Sequence, residues 1–267
     1  PPPPPPHPPT SRCSSAASDV YKRQMPVRPS DGRCEVVCYS SDHNATFATL
    51  PVSQIKKLVR VWKERYIELS AMPEVEYVFI FENKGKEIGV TLSHPHGQIY
   101  AYPFIPPVIE RELAAEKRHF ENKGVSLFES WLEEEMEDGR RVVAETDHFA
   151  VVVPFFARYP FETMVVPKQH ITSLAEMDEK VLDDLAETLH DLTNRFDRMF
   201  GFSLPYIMSV HQMPAVPGYE FNRFHVEFYP PHRTENKLKY LAGSEAGAGA
   251  FINDTVPEES AQRLRDA

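Results

Sequence analysis

Hydrophobic and polar positions along this chain follow two different periods. Ile55, Leu58, Val59, Trp62, Tyr66 and Leu69 recur at spacings of three, four and seven, which puts them on one face of a helix over residues 53–69. Leu182, Leu185, Leu189, Leu192, Phe196 and Met199 step in the same way and predict a helix over 178–199. CEVVCY (34–39), EYVFIFEN (76–83) and GQIYAYPF (97–104) are short, β-rich runs and predict strands. Pro103, Pro106 and Pro107 end the third run before a polar helical segment at 109–122. A further helical stretch closes in the acidic EEEMEDG (133–139). RVVAET, FAVVVPFF and FETMVVP then follow one another across turn residues, as in an antiparallel meander. PYIMSVH (205–211) and FHVEFYPP (224–231) complete the series of strands.

Two rounds of strands, helix and strands predict an α+β fold of two similar units dividing near residue 118, over 25–117 and 118–267. Residues 1–24 fit neither unit. They hold eight of the 25 prolines and no apolar periodicity, and they lack the charged-then-apolar order of a signal peptide, so they read as a disordered or non-native leader.

A chain of 267 residues, 42% hydrophobic and 25% charged, has the balance of a soluble globular protein. No apolar run approaches the roughly 20 residues of a membrane-spanning helix. The net charge is −10, and because the leader carries Arg12, Lys22 and Arg23 against Asp19, the remainder is at −12. Such a surface disfavours nucleic acid as a partner, so any phosphate must be met locally. Cys13, Cys34 and Cys38 are too few for a disulfide framework and indicate a reducing cytoplasm. Cys34 and Cys38, spaced CxxxC on a strand, read as small core residues.

SHPHGQIY (93–100) is the most informative passage. On an extended strand His94, His96 and Gln98 leave the same face, and such a polar line makes a poor core. Neutral imidazole is both a metal ligand and a nucleophile, and the partner of one ring nitrogen decides which nitrogen reacts. Two histidines at this spacing are more often a surface pair. Pro95, which stiffens the turn, and Gly97, which permits close backbone approach, move the balance toward a phosphate-handling site.

FENKG (81–85), Gly89 and HPHGQ (94–98), with Asp42 and His43 upstream and PFET, HVEFYPP and LKYLAGSE downstream, resemble the galactose-1-phosphate uridylyltransferase family of the histidine-triad superfamily. The resemblance runs in the family's order from about Cys34 to the C-terminus. It implies tandem histidine-triad-like units with antiparallel sheets flanked by helices, the first incomplete, and a homodimer whose active site two subunits share. It implies transfer of uridylate from UDP-glucose to galactose 1-phosphate in galactose metabolism, by a ping-pong route through a uridylyl-histidine. His96 matches the nucleophile and Gln98 the amide that binds phosphoryl oxygens, where related hydrolases carry histidine. Phe81, Asn83, Gly89 and Thr91 match nucleotide contacts. Lys239 and Glu245 match residues that reach the hexose phosphate from a neighbouring subunit, and ordinary surface charge is the competing reading. Ser244 stands where an aromatic residue is expected.

The same resemblance implies metals. His43 and His94 match two ligands of a zinc site whose CxxC knuckle has no counterpart here. Glu112, His211 and His225 match a second, structural site for iron or zinc, with Glu227 where histidine is common. The front of the family pattern is replaced by the proline-rich tract, so the chain reads as a truncated form and a poor catalyst by itself. Two other functions stay open: a related enzyme acting on dinucleoside polyphosphates, and an inactive nucleotide-binding fragment.

Overall fold

The computed structural model describes residues 30–267; the leader 1–24 and Cys13 lie outside them. The six apolar positions of the first predicted helix are the ones that α1 (Val52–Ser70) buries. The second long stripe becomes α4 (Glu179–Phe200). Asp178 caps α4 by accepting hydrogen bonds from the Lys180 and Val181 amides at 2.9 and 3.0 Å, and Gly201 closes it in the left-handed conformation. Between them lie α2 (Pro107–Lys123), with proline in its first turn, and α3 (Leu127–Asp138). A short α5 (Pro257–Arg265) ends the chain.

Among the described residues eight strands form one sheet: β1 (Arg33–Cys38), β2 (Tyr77–Lys84), β3 (His96–Tyr102), β4 (Val142–Glu145), β5 (Phe149–Val152), β6 (Thr163–Pro167), β7 (Tyr206–His211) and β8 (His225–Tyr229). Their order is β1-β3-β2-β7-β8-β6-β5-β4, and every neighbouring pair is antiparallel. The strands before and after residue 118 are therefore continuous across the β2–β7 seam, where Ile80 pairs with Val210 and Phe81 with Ser209. Residue 118 itself falls inside α2. A two-stranded ribbon, β9 (His232–Thr234) with β10 (Lys237–Leu238), follows β8. Among the described residues no helix is long and apolar enough to cross a membrane.

The two faces of the sheet have different fates. One packs against α1, α4 and α5 to make the main core, in which Ile80, Ile99, Val151, Val165, Val210 and Val226 meet Trp62, Leu185, Leu189 and Leu264. Removing a ring as large and buried as Trp62 costs about 3–5 kcal/mol. The opposite face is covered over β5 and β6 by Phe128, Trp131 and Leu132 of α3, and Ile109 and Leu113 of α2 pack on Tyr77. Apart from Tyr77, the residues of that face over β1, β3 and β2 are half-buried or exposed.

This geometry corrects the reading of the cysteines. Val37 and Tyr39 turn toward α1, and Glu35 pairs with Arg65 of that helix at 2.6 Å. Strand alternation then sends Cys34, Val36 and Cys38 outward on an edge strand, and both thiols are exposed.

The core face also holds a carboxylate. Burial pushes Glu82 up to about 7 despite the opposing pull of Lys84 and of the Tyr206 and Tyr39 hydroxyls. The native state therefore keeps a proton that the unfolded chain releases near 4.5, and stability falls as pH rises from about 4.5 to 7. Glu82→Gln removes this penalty, so its stability relative to wild type should improve between pH 5 and 8 by on the order of 3 kcal/mol. Urea midpoints at the two pH values measure it; a difference independent of pH would contradict the assignment.

Candidate active site and metal cluster

Cross-strand register assembles the first site. Cys38 pairs with His96 and Val36 with Gln98 on one side of β3, and Gln98 pairs with Phe81 of β2 on the other. Asn83 lies two residues beyond Phe81 on the same face. Gly89, at φ 88°, turns the segment after β2 so that Asn83, Gly89, Thr91, His96 and Gln98 line one cavity of about 180 Å³. Phe81 stands beside it, edge-on to Tyr100 at 4.9 Å and stacked on Phe79 at 5.2 Å.

His96 Nδ1 donates to the His94 carbonyl at 2.7 Å. That bond leaves Nε2 with the lone pair, the tautomer a nucleophile requires. The Tyr100 hydroxyl donates to Gln98 Oε1 at 3.0 Å, which orients the amide and keeps its NH₂ as a donor.

His43 and His94 meet, with their Nδ1 atoms 3.2 Å apart and Ser93 Oγ 3.2 Å from His43 Nε2. Among the described residues no third histidine, cysteine or carboxylate joins them. The donor set is half of what tetrahedral zinc needs, so these residues alone do not fit that ion.

The second set does converge. One ligand atom from each of Glu112, His211, His225 and Glu227 lies within 4.8 Å of the others. Glu112 comes from α2, His211 from the end of β7, and His225 and Glu227 from one face of β8. Glu112 accepts from His211 Nδ1 at 2.8 Å, and His225 Nδ1 donates to the Arg223 carbonyl at 2.9 Å. Among the described residues His225 Nε2 has no hydrogen-bond partner; it is buried 3.6 and 3.5 Å from the Glu112 and Glu227 carboxylates. Lone pair facing lone pair is unfavourable unless a cation lies between them, so two imidazoles and two carboxylates fit iron or zinc. The electrostatics agree. Burial opposes charge on His211, yet Glu112 and Glu227 outweigh it and raise the imidazole to about 9. Burial likewise opposes ionisation of Glu227, but His211, His225 and Arg158 hold it well below the usual carboxylate range.

Lys239 and Glu245 are not solvated surface charges. Their side chains are almost fully buried and pair at 3.0 Å, and Lys239 also donates to the Ile252 carbonyl. Backbone amides, its own first, and Lys239 hold the Glu245 carboxyl down to about 2. Tyr240, Leu241 and Ile252 on the same loop are exposed instead.

The sequence pattern missed Arg158 and Glu162, which sit in the bend between β5 and β6. Arg158 reaches Glu227 at 3.2 Å, a partner 69 positions away, and nothing in the local spacing announces it.

Comparison with known proteins follows the same lines. The chain matches the description "Galactose-1-phosphate uridyl transferase, N-terminal domain" over residues 8–106 and its C-terminal counterpart over 112–267. It is 44% identical over 250 residues to a galactose-1-phosphate uridylyltransferase of Thermotoga maritima, an alignment covering 92% of this chain and 78% of that one. A solved uridylyltransferase superposes with a TM-score of 0.84 at 36% identity, covering 88% of this chain and 75% of the other. An ADP-glucose phosphorylase from Arabidopsis thaliana with bound ADP-glucose gives a TM-score of 0.79 at 26% identity, covering 88% and 72%.

Proposed function

We propose that the chain, which belongs to the galactose-1-phosphate uridylyltransferase family and carries out uridylyl transfer in galactose metabolism, does so through His96. The observation that carries this reading is the His96 Nδ1 bond to the His94 carbonyl, in a ring that lines the cavity of Asn83, Gly89, Thr91 and Gln98. Nε2 attacks the α-phosphorus of UDP-glucose; an N–P bond forms as the P–O bond to glucose 1-phosphate breaks. A phosphate oxygen of galactose 1-phosphate then attacks the same phosphorus, the N–P bond breaks, and UDP-galactose leaves. Phe81 offers its ring to the uracil. Asn83 and Thr91 hydrogen-bond the nucleotide, Gly89 lets backbone approach it, and the Gln98 amide donates to phosphoryl oxygens.

The test omits the acceptor. With uridine-labelled UDP-glucose alone, one equivalent of glucose 1-phosphate should be released while the label stays on the protein in acid-labile form, and galactose 1-phosphate should discharge it as UDP-galactose. Release that depends on galactose 1-phosphate from the start argues against the covalent route. A diadenosine polyphosphate in the same assay tests the related phosphorylase and hydrolase chemistry.

Glu112, His211, His225 and Glu227 would hold iron or zinc in a structural role, supplying positive charge between buried carboxylates. His43 and His94 would supply two ligands of a zinc site only if two further donors joined them. The working unit is a homodimer, with subunits exchanging the loop at 239–253; the exposed Val36 of β1 and Tyr240, Leu241 and Ile252 of the loop suit such contact. In it Lys239 and Glu245 brace the segment that approaches the partner's hexose phosphate. The exposed thiols of Cys34 and Cys38 suit the reducing cytoplasm. The two family units meet within α2, either at its start, where the two family matches change over, or near residue 118.

A further inference from the structure

Arg158 faces two structures that are far apart in sequence. Toward the sheet, its Nη2 lies 3.2 Å from Glu227 Oε2 and 3.1 Å from the Tyr229 hydroxyl. Glu162, buried and 4 positions on, accepts from its Nε and Nη2 at 3.1 and 3.0 Å and from its backbone amide at 2.6 Å. The guanidinium is therefore clamped with one edge on Glu227, whose Oε1 remains directed at His225 Nε2, 3.5 Å away.

Toward the C-terminus, the same guanidinium covers the ring of Phe251 at 5.8 Å. The residues flanking Arg158 bind that segment as well, because Asn253 Nδ2 donates to the Ala157 and Tyr159 carbonyls at 3.0 and 3.3 Å. Phe251 and Asn253 flank Ile252, whose carbonyl takes the Lys239 ammonium and whose amide donates to Glu245 at 3.3 Å. The contacts form one chain: four-residue cluster, Arg158, Phe251 to Asn253, and the Lys239–Glu245 brace.

We infer that Arg158 is a positioning residue that makes cation binding in the cluster and order in the 239–253 loop a single event. On one side it fixes the Glu227 ligand oxygen; on the other it seats the loop that carries Lys239 and Glu245. This rests on the reading of Glu112, His211, His225 and Glu227 as metal ligands. Partners that orient a ligating carboxylate commonly change metal affinity by 10–100-fold when removed. Thermodynamic linkage requires the loop to respond to the metal as the metal responds to the loop.

The experiment uses the full chain loaded with Zn²⁺ or Fe²⁺, with affinity measured by chelator competition and amide hydrogen exchange followed at residues 250–253. In wild type, stripping the metal should raise exchange there at least about tenfold. Arg158→Met should weaken metal binding by about 10–100-fold, raise the same exchange, and show no further rise on stripping. Arg158→Lys, which keeps the charge and loses the fork, should fall between the two. The inference is overturned by Arg158→Met binding metal within about twofold of wild type, by a stripped wild type that keeps its loop protection, or by a wild type that takes up neither ion. The covalent-adduct assay is a separate readout: its failure removes the reading of His96 and leaves this inference standing.

Discussion

His96→Ala will abolish labelling of the protein by uridine-labelled UDP-glucose and lower overall transfer by at least about a thousandfold, because the route through an N–P bond disappears with the imidazole. The effect should be confined to chemistry. His96 is half-buried on the open face of β3 and belongs to none of the apolar clusters, so its loss opens no cavity in the core. The variant should melt within a few degrees of wild type, since changes outside the core usually cost little. Its affinity for UDP-glucose should persist, because Phe81, Asn83 and Thr91 stay in place. Calorimetric titration with UDP-glucose, run beside the labelling assay, separates the two. Labelling that survives the substitution would mean that another side chain attacks phosphorus, and the assignment of His96 would go.

Gly97→Ala will also be severe, for a steric reason. A Cβ built on Gly97 would lie 2.2 Å from the Tyr39 hydroxyl oxygen and 3.0 Å from the ring carbon that bears it. Tyr39 has little room to retreat. It is 1% exposed, its amide donates to the Pro95 carbonyl at 2.9 Å, and its own carbonyl accepts from Gln54 Nε2 at 2.9 Å. The displacement therefore falls on β3, which carries His96 and Gln98 on either side of the added methyl group. Overpacking of this kind costs about 1–3 kcal/mol, and a shift of roughly 1 Å at a reacting atom costs about a hundredfold in rate. Combining the change with Tyr39→Phe removes the oxygen at 2.2 Å and should restore at least about tenfold of the lost rate. A double variant no faster than Gly97→Ala alone would show that Tyr39 is not the obstacle.

Much of the architecture was legible in the chain. The first amphipathic helix buries all six residues that its spacing selected and the second buries five of six, Met199 being partly buried, and each of the eight described strands of the sheet overlaps a predicted run to within one residue. Period identifies an element but not its neighbour. Nothing in EYVFIFEN or PYIMSVH announces that β2 and β7 pair, more than 120 positions apart, so the one uninterrupted sheet was not legible. The cysteines failed for a related reason. CxxxC on a strand places both thiols on one face, but which face is decided by α1 and the Glu35–Arg65 pair.

The sites divide along the same line. The HGQ of HPHGQ and the FENK of FENKG lie on adjacent strands, and alternation alone put His96 and Gln98 on one side. The four cluster residues are separated by up to 115 positions and became legible only through resemblance to a family pattern. Arg158 and the Lys239–Glu245 pair depend on contacts that no local period encodes, since a charged residue in a bend has the same sequence appearance whether solvated or clamped.

The β2–β7 seam has a further consequence for how the molecule comes apart. Backbone hydrogen bonds run through it without a break, so the half carrying His96 has no independent boundary at which melting could stop. Loss of the histidine–carboxylate cluster by heat or denaturant therefore propagates across shared strands to the cavity beside His96, and the two regions denature as a single cooperative block.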